Sequence, residues 1–362
     1  MCIVKNIAHR VDKDCAVMYK YSAWIWSVHQ KGRHSGMTKK HFINITFILT
    51  VLLSVVFWFY LPMEVAGRRP GNIFMQLFYA GFIGLTVAVL LMFILILFVK
   101  KDYVTKQLFT LARFRHLLFL LIKRDFVTRY RRSVLGVLWS ILNPLLTMLV
   151  LTMVFSTVFR FDVGGFFPVY LLSGQLLFAY FSESTNLAMG SILGGAGTIR
   201  KVYVPKYIFP LSRVLSSVVN LGFSFLALVV VILVTGAPIY WTILLVPIPF
   251  LYLIIFCIGV GMILSALAVF FRDITYIYGV FLTALNFLTP IFYPVSMLPP
   301  RVFHLIHLNP MFHYVTYFRE LIRYGTVPGL WANIICLGFA LAAFSLGLYV
   351  KMSQQDKYIL YI

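Results

Sequence analysis

Acidic side chains are scarce in this sequence of 362 residues, which has ten aspartates and glutamates against 31 lysines and arginines. Charged residues of both signs make up only 11% of the chain, far less than the surface of a soluble domain requires. The shortage of carboxylates also leaves little material for a catalytic pair. The composition therefore argues against a soluble protein and against acid–base catalysis, and we predict no catalytic residues.

Cysteines and nucleotide-binding motifs are also few. No G-x-x-x-x-G-K-[ST] pattern occurs, so the chain lacks the loop that cradles ATP phosphates and is expected to hold no cofactor. The cysteines show no paired spacing, and His304, His307 and His313 have no adjacent cysteine or carboxylate ligands. We therefore predict neither a disulfide nor a metal site. The four cysteines are Cys2, Cys15, Cys257 and Cys336.

Long apolar runs dominate the rest of the chain. Hydrophobic residues make up 61% of it, and the mean hydropathy is +0.93. A helix needs about 20 apolar residues to cross the hydrocarbon layer of a bilayer. The runs of that length predict an all-α membrane protein, a polytopic helical bundle of about eight spans. The predicted spans are 43–61, 73–99, 135–159, 166–190, 212–235, 241–271, 274–293 and 331–350.

The distribution of lysine and arginine predicts the orientation. Cationic loops stay on the cytoplasmic side during insertion. With both termini in the cytoplasm, most of the 31 cations fall on the inner side. This bias accounts for the net charge of +21, with attraction to membrane lipids as a secondary effect, so no nucleic-acid partner is needed.

Composition divides the chain into successive segments. Residues 1–41 are polar and basic, show no signal peptide, and contain Met37 as an alternative start to Met1. The proline-rich stretch near the end is too broken to cross a membrane and too apolar for a free loop, which favours re-entrant helices on the outside. The segments are a cytoplasmic tail (1–41), an extra transmembrane hairpin (42–100), an amphipathic interface helix (106–134), and a core (135–362) with a cytoplasmic loop at 198–211 and a re-entrant segment at 294–326.

The end of the interface helix is basic and runs straight into the next predicted span, in the sequence KRDFVTRYRRSVLGVLWSILNP at 123–144. At helical spacing its apolar side chains, such as Phe126 and Tyr130, share one arc, and its arginines lie opposite. Such a helix lies in the headgroup layer, where guanidinium groups can bind lipid phosphates or an acidic partner surface. A flank that only sets orientation is the alternative interpretation, and the pattern leaves both open.

Six motifs occur in an order and spacing that resemble the ABC-2 family of permease subunits, and within it the exporters of lipid-linked O-antigen, capsule and teichoic acid. They are RDFVTRYRRSVLGVLWSILNP (124–144), PVYLLSGQLLFAYFSESTN (168–186), IRKVYVPKYIFP (199–210), FFRDI (270–274), TPIFYPVSMLPP (289–300) and NPMFHYVTYFRELI (309–322). The resemblance implies a six-span core, a homodimeric channel, and two copies of a separate ATPase subunit that binds ATP. The hairpin at 42–100 departs from this pattern.

Site residues follow partly from chemistry and partly from the resemblance. The resemblance implies that the loop at 199–210 docks into the ATPase, through Arg200, Lys201, Val204, Pro205 and Lys206. The pyrophosphate of a polyprenyl-linked glycan is anionic, and we expect three arginines to receive it at the inner interface. These arginines are Arg129, Arg131 and Arg132.

Aromatic rings can stack on the C–H faces of sugars without a fixed hydrogen-bond pattern, which suits a sliding polymer. Glu183 is the one carboxylate deep in a predicted span, where it has either a channel role or a structural one. The expected channel-lining residues are Trp139, Phe155, Phe159, Tyr180, Glu183 and Tyr293. An outside gate helix is expected at Arg319, Glu320 and Arg323, either as an ion-paired turn or as a solvated face.

Together these features predict a channel-forming permease of an ATP-driven exporter of lipid-linked polysaccharide in a bacterial inner membrane. Two alternatives remain open. An ABC-2 exporter of drugs or of a small lipid-linked oligosaccharide would share the topology. A membrane glycosyltransferase or polymerase would need a carboxylate pair or a large catalytic loop, and the sequence shows neither.

Overall fold

A computed structural model describes residues 112–130, 135–156, 165–199, 201, 204–297 and 306–354. The described part of the chain is helical, without β-strands. Its α-helices are α1 (Arg115–Tyr130), α2 (Trp139–Val154), α3 (Phe167–Met189), α4 (Ser191–Gly194), α5 (Ala196–Ile199), α6 (Ile208–Thr235), α7 (Pro247–Phe270), α8 (Ile274–Leu288), α9 (Pro310–Arg319) and α10 (Leu330–Gln354). Short 3₁₀ turns at Gly136–Leu138, Trp241–Leu245 and Val295–Met297 and a π-helical turn at Glu320–Tyr324 connect them.

Four of the described helical stretches are long and apolar enough to cross a membrane: Gly136–Val154, Ile208–Thr235, Trp241–Phe270 and Leu330–Lys351. The prediction of an all-helical membrane protein is confirmed at this level. Helix α3 has the length of a span but carries several polar residues, and α8 has only 15 residues. The predicted spans 43–61 and 73–99 lie outside the described residues.

Helix α3 is the centre of the bundle. Most of its residues are buried, and it packs against α2, α6, α7 and α9. Pro168 and Pro247 lie in the first turns of α3 and α7, where a missing amide hydrogen costs no helical hydrogen bond. Lys201 and Arg319 lie near opposite ends of α3, and we refer to these as the Lys201 end and the Arg319 end of the bundle.

Helices α7 and α10 approach each other closely through small residues. A Cβ atom on Gly347 would lie 2.6 Å from the carbonyl oxygen of Gly259, and a Cβ atom on Gly259 would overlap the backbone of Ala343. Glycine is required here because only a hydrogen fits between the two backbones. The crossing therefore holds α7 and α10 at a fixed separation.

Helix α1, the described part of the predicted interface helix, docks on the bundle with a different face from the one expected. Leu121 is buried in a cluster with Val204, Ile208 and Phe209, whereas Val127 is 47% exposed. Leu117 and Leu118, one turn before Leu121, pack against the same cluster. The buried stripe of α1 therefore lies N-terminal to the basic stretch. Residues 106–111 and 131–134 of the predicted helix lie outside the described residues.

The predicted cytoplasmic loop also differs in its boundaries. The loop was expected over 198–211, but α6 already begins at Ile208 and contains Pro210 in its first turn. Proline is tolerated there because the first amides of a helix have no intrahelical acceptor. The short helices α4 and α5 precede the segment instead.

Helix α9 begins with a well-formed cap. The side chain of Asn309 accepts a hydrogen bond from the amide of Met311 at 2.9 Å, and Pro310 follows as the first helical residue. With ten residues, α9 is too short to cross a membrane. It ends in the π-helical turn and at Gly325, whose φ of +65° terminates the helix.

Candidate functional site

A network of polar side chains joins α1 to α3 and α6. One carboxylate oxygen of Glu183 accepts hydrogen bonds from Nη1 of Arg129 at 2.5 Å and from Nδ2 of Asn220 at 2.7 Å. The hydroxyl of Tyr130 donates to Oδ1 of Asn220 at 2.9 Å and also bonds the hydroxyl of Ser140. Glu183 is therefore a hydrogen-bonded ion-pair partner of the interface helix.

A second ion pair holds the same helix. Asp125 on α1 lies 3.0 Å from Nη1 of Arg213 on α6 and 3.1 Å from Nη2 of the neighbouring Arg124. The side chain of Asp125 is only 10% exposed, so its charge is partly shielded from water. Both anchors use a residue of the basic stretch itself, which fixes that stretch against α3 and α6.

Glu183 also borders a cavity of about 370 Å³ between α3 and the α8 region. The cavity combines hydrogen-bonding groups with two aromatic rings, a mixture suited to a carbohydrate. It opens to the surface of the single chain beside α8. Its lining residues are Gln175, Phe178, Ala179, Ser182, Glu183, Asn286 and Phe292.

The predicted channel-lining residues are only partly together. Phe155 stacks on the cavity residue Phe292 with ring centroids 5.4 Å apart. Tyr293 donates a hydrogen bond to the carbonyl of Phe287, and Trp139 is 46% exposed on α2. Tyr180 instead packs in the core with 3% exposure, because its helix turns that face toward α6. Phe159 lies outside the described residues.

The predicted ATPase-contact residues occupy different environments. Lys201 is exposed, and Pro205 and Lys206 are half-buried. Val204 is buried with the apolar side chains of α1 and α6, so it anchors the segment instead of facing a partner. Arg200 lies outside the described residues.

At the Arg319 end, Arg319 forms neither the ion-paired turn nor the solvated face that the sequence left open, because its side chain is buried. Arg319 donates to the carbonyls of Pro290 at 2.8 Å, Tyr170 at 3.0 Å and Ile291 at 3.2 Å, and it stacks on the Tyr170 ring at 3.6 Å. No carboxylate of the described residues lies within ion-pair distance of it. Burial lowers the pKa of Arg319 to about 10, which still leaves the guanidinium charged near neutral pH.

The neighbours of Arg319 have separate roles. Glu320 begins the π-helical turn, and its partial burial raises the pKa of its carboxyl group. The guanidinium of Arg323 lies 5.1 Å from the Tyr170 ring and donates to the hydroxyl of Tyr324. Arg319 therefore joins α3, α9 and the irregular segment after α8 through carbonyl groups, and Arg323 lies farther from the same tyrosine ring.

Where the structure describes them, the histidines and cysteines bring no ligand set together. His313 hydrogen-bonds the carbonyl of His307 at 2.8 Å through its ring. No group of three or more potential metal ligands occurs among the residues that the structure describes. Cys257 and Cys336 are buried as free thiols, and His304 lies outside the described residues.

Three contacts of the site were missed by sequence reasoning. Asn220 and Arg213 lie outside the six motifs, and the motifs that contain Asp125 and Gly174 gave no indication that these residues contact Arg213 and Arg319. Polar residues in apolar helices were the available signal, because such residues rarely face lipid unpaired.

A family model described as "ABC-2 type transporter" matches residues 116–322, a range that contains both anchors of α1, the cavity and Arg319. The chain belongs to the ABC-2 type transporter family. The resemblance indicated by the six motifs is thereby confirmed. The site network thus lies within the part of this ABC-2 chain that defines the family.

Named relatives agree with this assignment. The O-antigen export system permease protein RfbA of Klebsiella pneumoniae is 28% identical over 257 residues, covering 70% of this chain and 99% of that relative. RfbA of Myxococcus xanthus is 31% identical over 220 residues, covering 60% and 84%. The polysialic acid transport protein KpsM of Escherichia coli is 25% identical over 238 residues, covering 64% and 91%.

Proposed function

We propose that this chain is the channel-forming permease subunit of an ATP-driven exporter that moves a lipid-linked polysaccharide, such as O-antigen or capsule, across a bacterial inner membrane. The observation that carries the proposal is the similarity to RfbA of K. pneumoniae, which extends over 99% of that O-antigen export permease. The similarity to KpsM extends the support to a second polysaccharide. The mixed polar and aromatic cavity beside Glu183 suits such a substrate.

Energy would come from two copies of a separate ATPase subunit, on which ATP binds. The contact surface on this chain would be the segment around Arg200, Lys201, Pro205 and Lys206, with Val204 buried behind it. The exposure of Lys201 at the end of the bundle supports this role. In the topology we propose, this end and both termini lie in the cytoplasm, and the chain crosses the membrane about eight times, six of them in the core.

A second copy of this chain would close the channel. In α2 no residue is buried, and α8 buries only Tyr278 and Leu282. Asn286 of α8 lines the cavity, and Phe155, directly after α2, stacks on its lining residue Phe292. A homodimer packed along α8 would cover these faces and enclose the open side of the cavity. Oxidative cross-linking tests this arrangement: Val280→Cys, 72% exposed on α8, should give a covalent dimer. The matched variant Val234→Cys, 82% exposed on α6, should not.

The lipid headgroup would enter beside the interface helix. Arg129 is held by Glu183, so an anionic phosphate would compete with that carboxylate for the guanidinium. Arg131 and Arg132 follow two and three residues later in sequence and would add two further cations. We propose that these three arginines receive the polyprenyl pyrophosphate of the glycan.

Export in a strain that lacks its own permease tests the proposal. The chain and its ATPase should restore the glycan to the cell surface, and the triple variant Arg129→Gln, Arg131→Gln, Arg132→Gln should lower that level at least tenfold at equal abundance. The control removes three exposed cations, one just before α1 and two within it: Arg113→Gln, Arg115→Gln and Lys123→Gln.

Three results would contradict parts of this proposal. Wild-type export by the triple arginine variant would refute the headgroup role. Stimulation of the complex's ATPase by a drug or a short lipid-linked oligosaccharide, and not by the long glycan, would refute the substrate. Glycan synthesis by the purified chain alone would refute the transporter assignment.

A further inference from the structure

The last helix ends against the segment that we propose contacts the ATPase. We define this coupling segment as residues 199–207, from the last residue of α5 to the residue before α6. At the second end of the segment, the ammonium of Lys351 on α10 lies 3.4 Å from the centroid of the Tyr207 ring. Lys351 is only 9% exposed, which is unusual for a lysine and strengthens a cation–π contact by excluding water.

The first residue of the coupling segment also lies near the end of α10. Val350 and Ile199 both pack on a cluster formed by Ile192, Ala266 and Val269. Consecutive residues of α10, 350 and 351, thus lie at the two ends of the coupling segment. The segment is framed by the end of one helix.

The position of Lys351 is itself fixed. Gly347, one turn earlier on α10, lies against the backbone of α7 at the glycine crossing described above. Met262 and Ser265 of α7 border the same small cavity as Tyr207 and Lys351. A helix locked to its neighbour one turn before its contact residue cannot move that residue far without moving the pair.

Tyr207 also reaches the interface helix. It packs against the apolar cluster of Leu121, Val204, Ile208 and Phe209, which attaches α1 to the bundle. A displacement of the coupling segment at Tyr207 would therefore displace both the α7–α10 pair and α1, the helix that carries Arg129.

We infer that Lys351 is a positioning residue for ATP coupling: its contact with Tyr207 fixes the coupling segment on the α7–α10 pair, so that movements of the ATPase reach the bundle. This inference rests on the proposed function, because it assigns the segment to the ATPase contact. Lys351 acts through Tyr207 and needs no contact with glycan or nucleotide.

The test measures ATP hydrolysed per glycan exported by the complete complex of this chain with its ATPase in proteoliposomes. Lys351→Met and Tyr207→Leu should each raise this ratio by about threefold or more, as expected for losing a buried cation–π contact. Tyr207→Phe keeps the ring and Lys351→Arg keeps a stacking cation, so both should stay near wild type. The double variant Lys351→Met, Tyr207→Leu should be no worse than either single change.

Lys123→Met, which removes an exposed cation from α1, is the matched control and should leave the ratio unchanged. An unchanged ratio in both Lys351→Met and Tyr207→Leu, at normal abundance, would overturn the inference while leaving the permease assignment intact. If Lys351→Met does not accumulate, the comparison of Tyr207→Leu with Tyr207→Phe decides the question. Failure of the wild-type complex to export glycan would instead overturn the proposed function.

Discussion

Gly174 on α3 leaves the space that the guanidinium of Arg319 occupies. A Cβ atom at position 174 would lie 2.7 Å from Nη2 of Arg319 and 3.3 Å from Cγ2 of Ile291. The guanidinium cannot simply withdraw, because three backbone carbonyls and the Tyr170 ring hold it. The fit of α3 against α9 therefore depends on the absence of one methyl group.

The first prediction concerns that methyl group. Gly174→Ala should destabilise the protein by about 1–3 kcal/mol, the usual cost of overpacking a tight site. Gly222→Ala on α6 is the matched control, since a Cβ atom there meets nothing within 4 Å. Thermal unfolding of both variants in detergent should show a lower midpoint for Gly174→Ala alone. Equal midpoints would mean that the Arg319 site is more adaptable than its contacts indicate.

The second prediction concerns the planar geometry of Arg319. Arg319→Lys keeps the charge but cannot reach three carbonyls on two segments at once, so buried acceptors would lose their donor. We expect the thermal midpoint and the export of glycan to fall together. Arg272→Lys, an exposed arginine in the short link before α8, should change the midpoint little. Retention of both properties by Arg319→Lys would show that charge alone suffices at this position.

The sequence predicted secondary structure where a pattern of residue types repeats within a few helical turns. Long apolar runs predicted helices, because that signal lies within a few turns of chain. The described part of the basic stretch is helical, as α1, and its place at the membrane interface stays a prediction. Its docking face was missed, since the partners of Leu121 lie more than eighty residues away in sequence. A contact of that kind depends on tertiary packing, for which a helical wheel carries no information.

Arg319 shows the same limit in the site. Its three carbonyl acceptors belong to α3 and to the irregular segment after α8. Every residue has a backbone carbonyl, so the residue types do not indicate which carbonyls accept these hydrogen bonds. The neighbouring Glu320 offered an obvious ion pair, and the structure has none between them. In contrast, the deep position of Glu183 did indicate a paired group, because an isolated carboxylate in a span is costly.

The third prediction concerns the pair of Arg129 and Glu183. Glu183→Gln should leave Arg129 without its counter-ion. The guanidinium of Arg129 should then bind anions that are not part of the protein more readily. Because both side chains are about one-third exposed, a double-mutant cycle with Arg129→Gln should give a stability coupling of no more than about 1 kcal/mol. These substitutions should change export, measured as glycan at the cell surface, more than they change stability. The same cycle on Arg124 and Asp125, adjacent on α1, is the control. A stability coupling well above this limit, with export unchanged, would show that the pair stabilises the fold and has no role in export.

The fourth prediction separates two reasons for a glycine. Gly325 and Gly236 both adopt positive φ, at +65° and +69°, as the residues that end helical segments. A Cβ atom on Gly325 would also lie 2.5 Å from Cγ of Tyr240, whereas one on Gly236 meets nothing within 4 Å. Gly236→Ala should therefore cost about 1 kcal/mol for the backbone conformation alone, and Gly325→Ala clearly more.

Adding Tyr240→Ala to each variant identifies the source of the difference. Removal of the ring should recover part of the loss in Gly325→Ala and none of it in Gly236→Ala, because only the first glycine faces that ring. Thermal midpoints in detergent measure all four combinations. Equal costs at the two glycines would show that the ring moves aside freely. In that case the turn at Leu321, whose carbonyl accepts the hydroxyl of Thr242, would hold the Arg319 end without help from Tyr240.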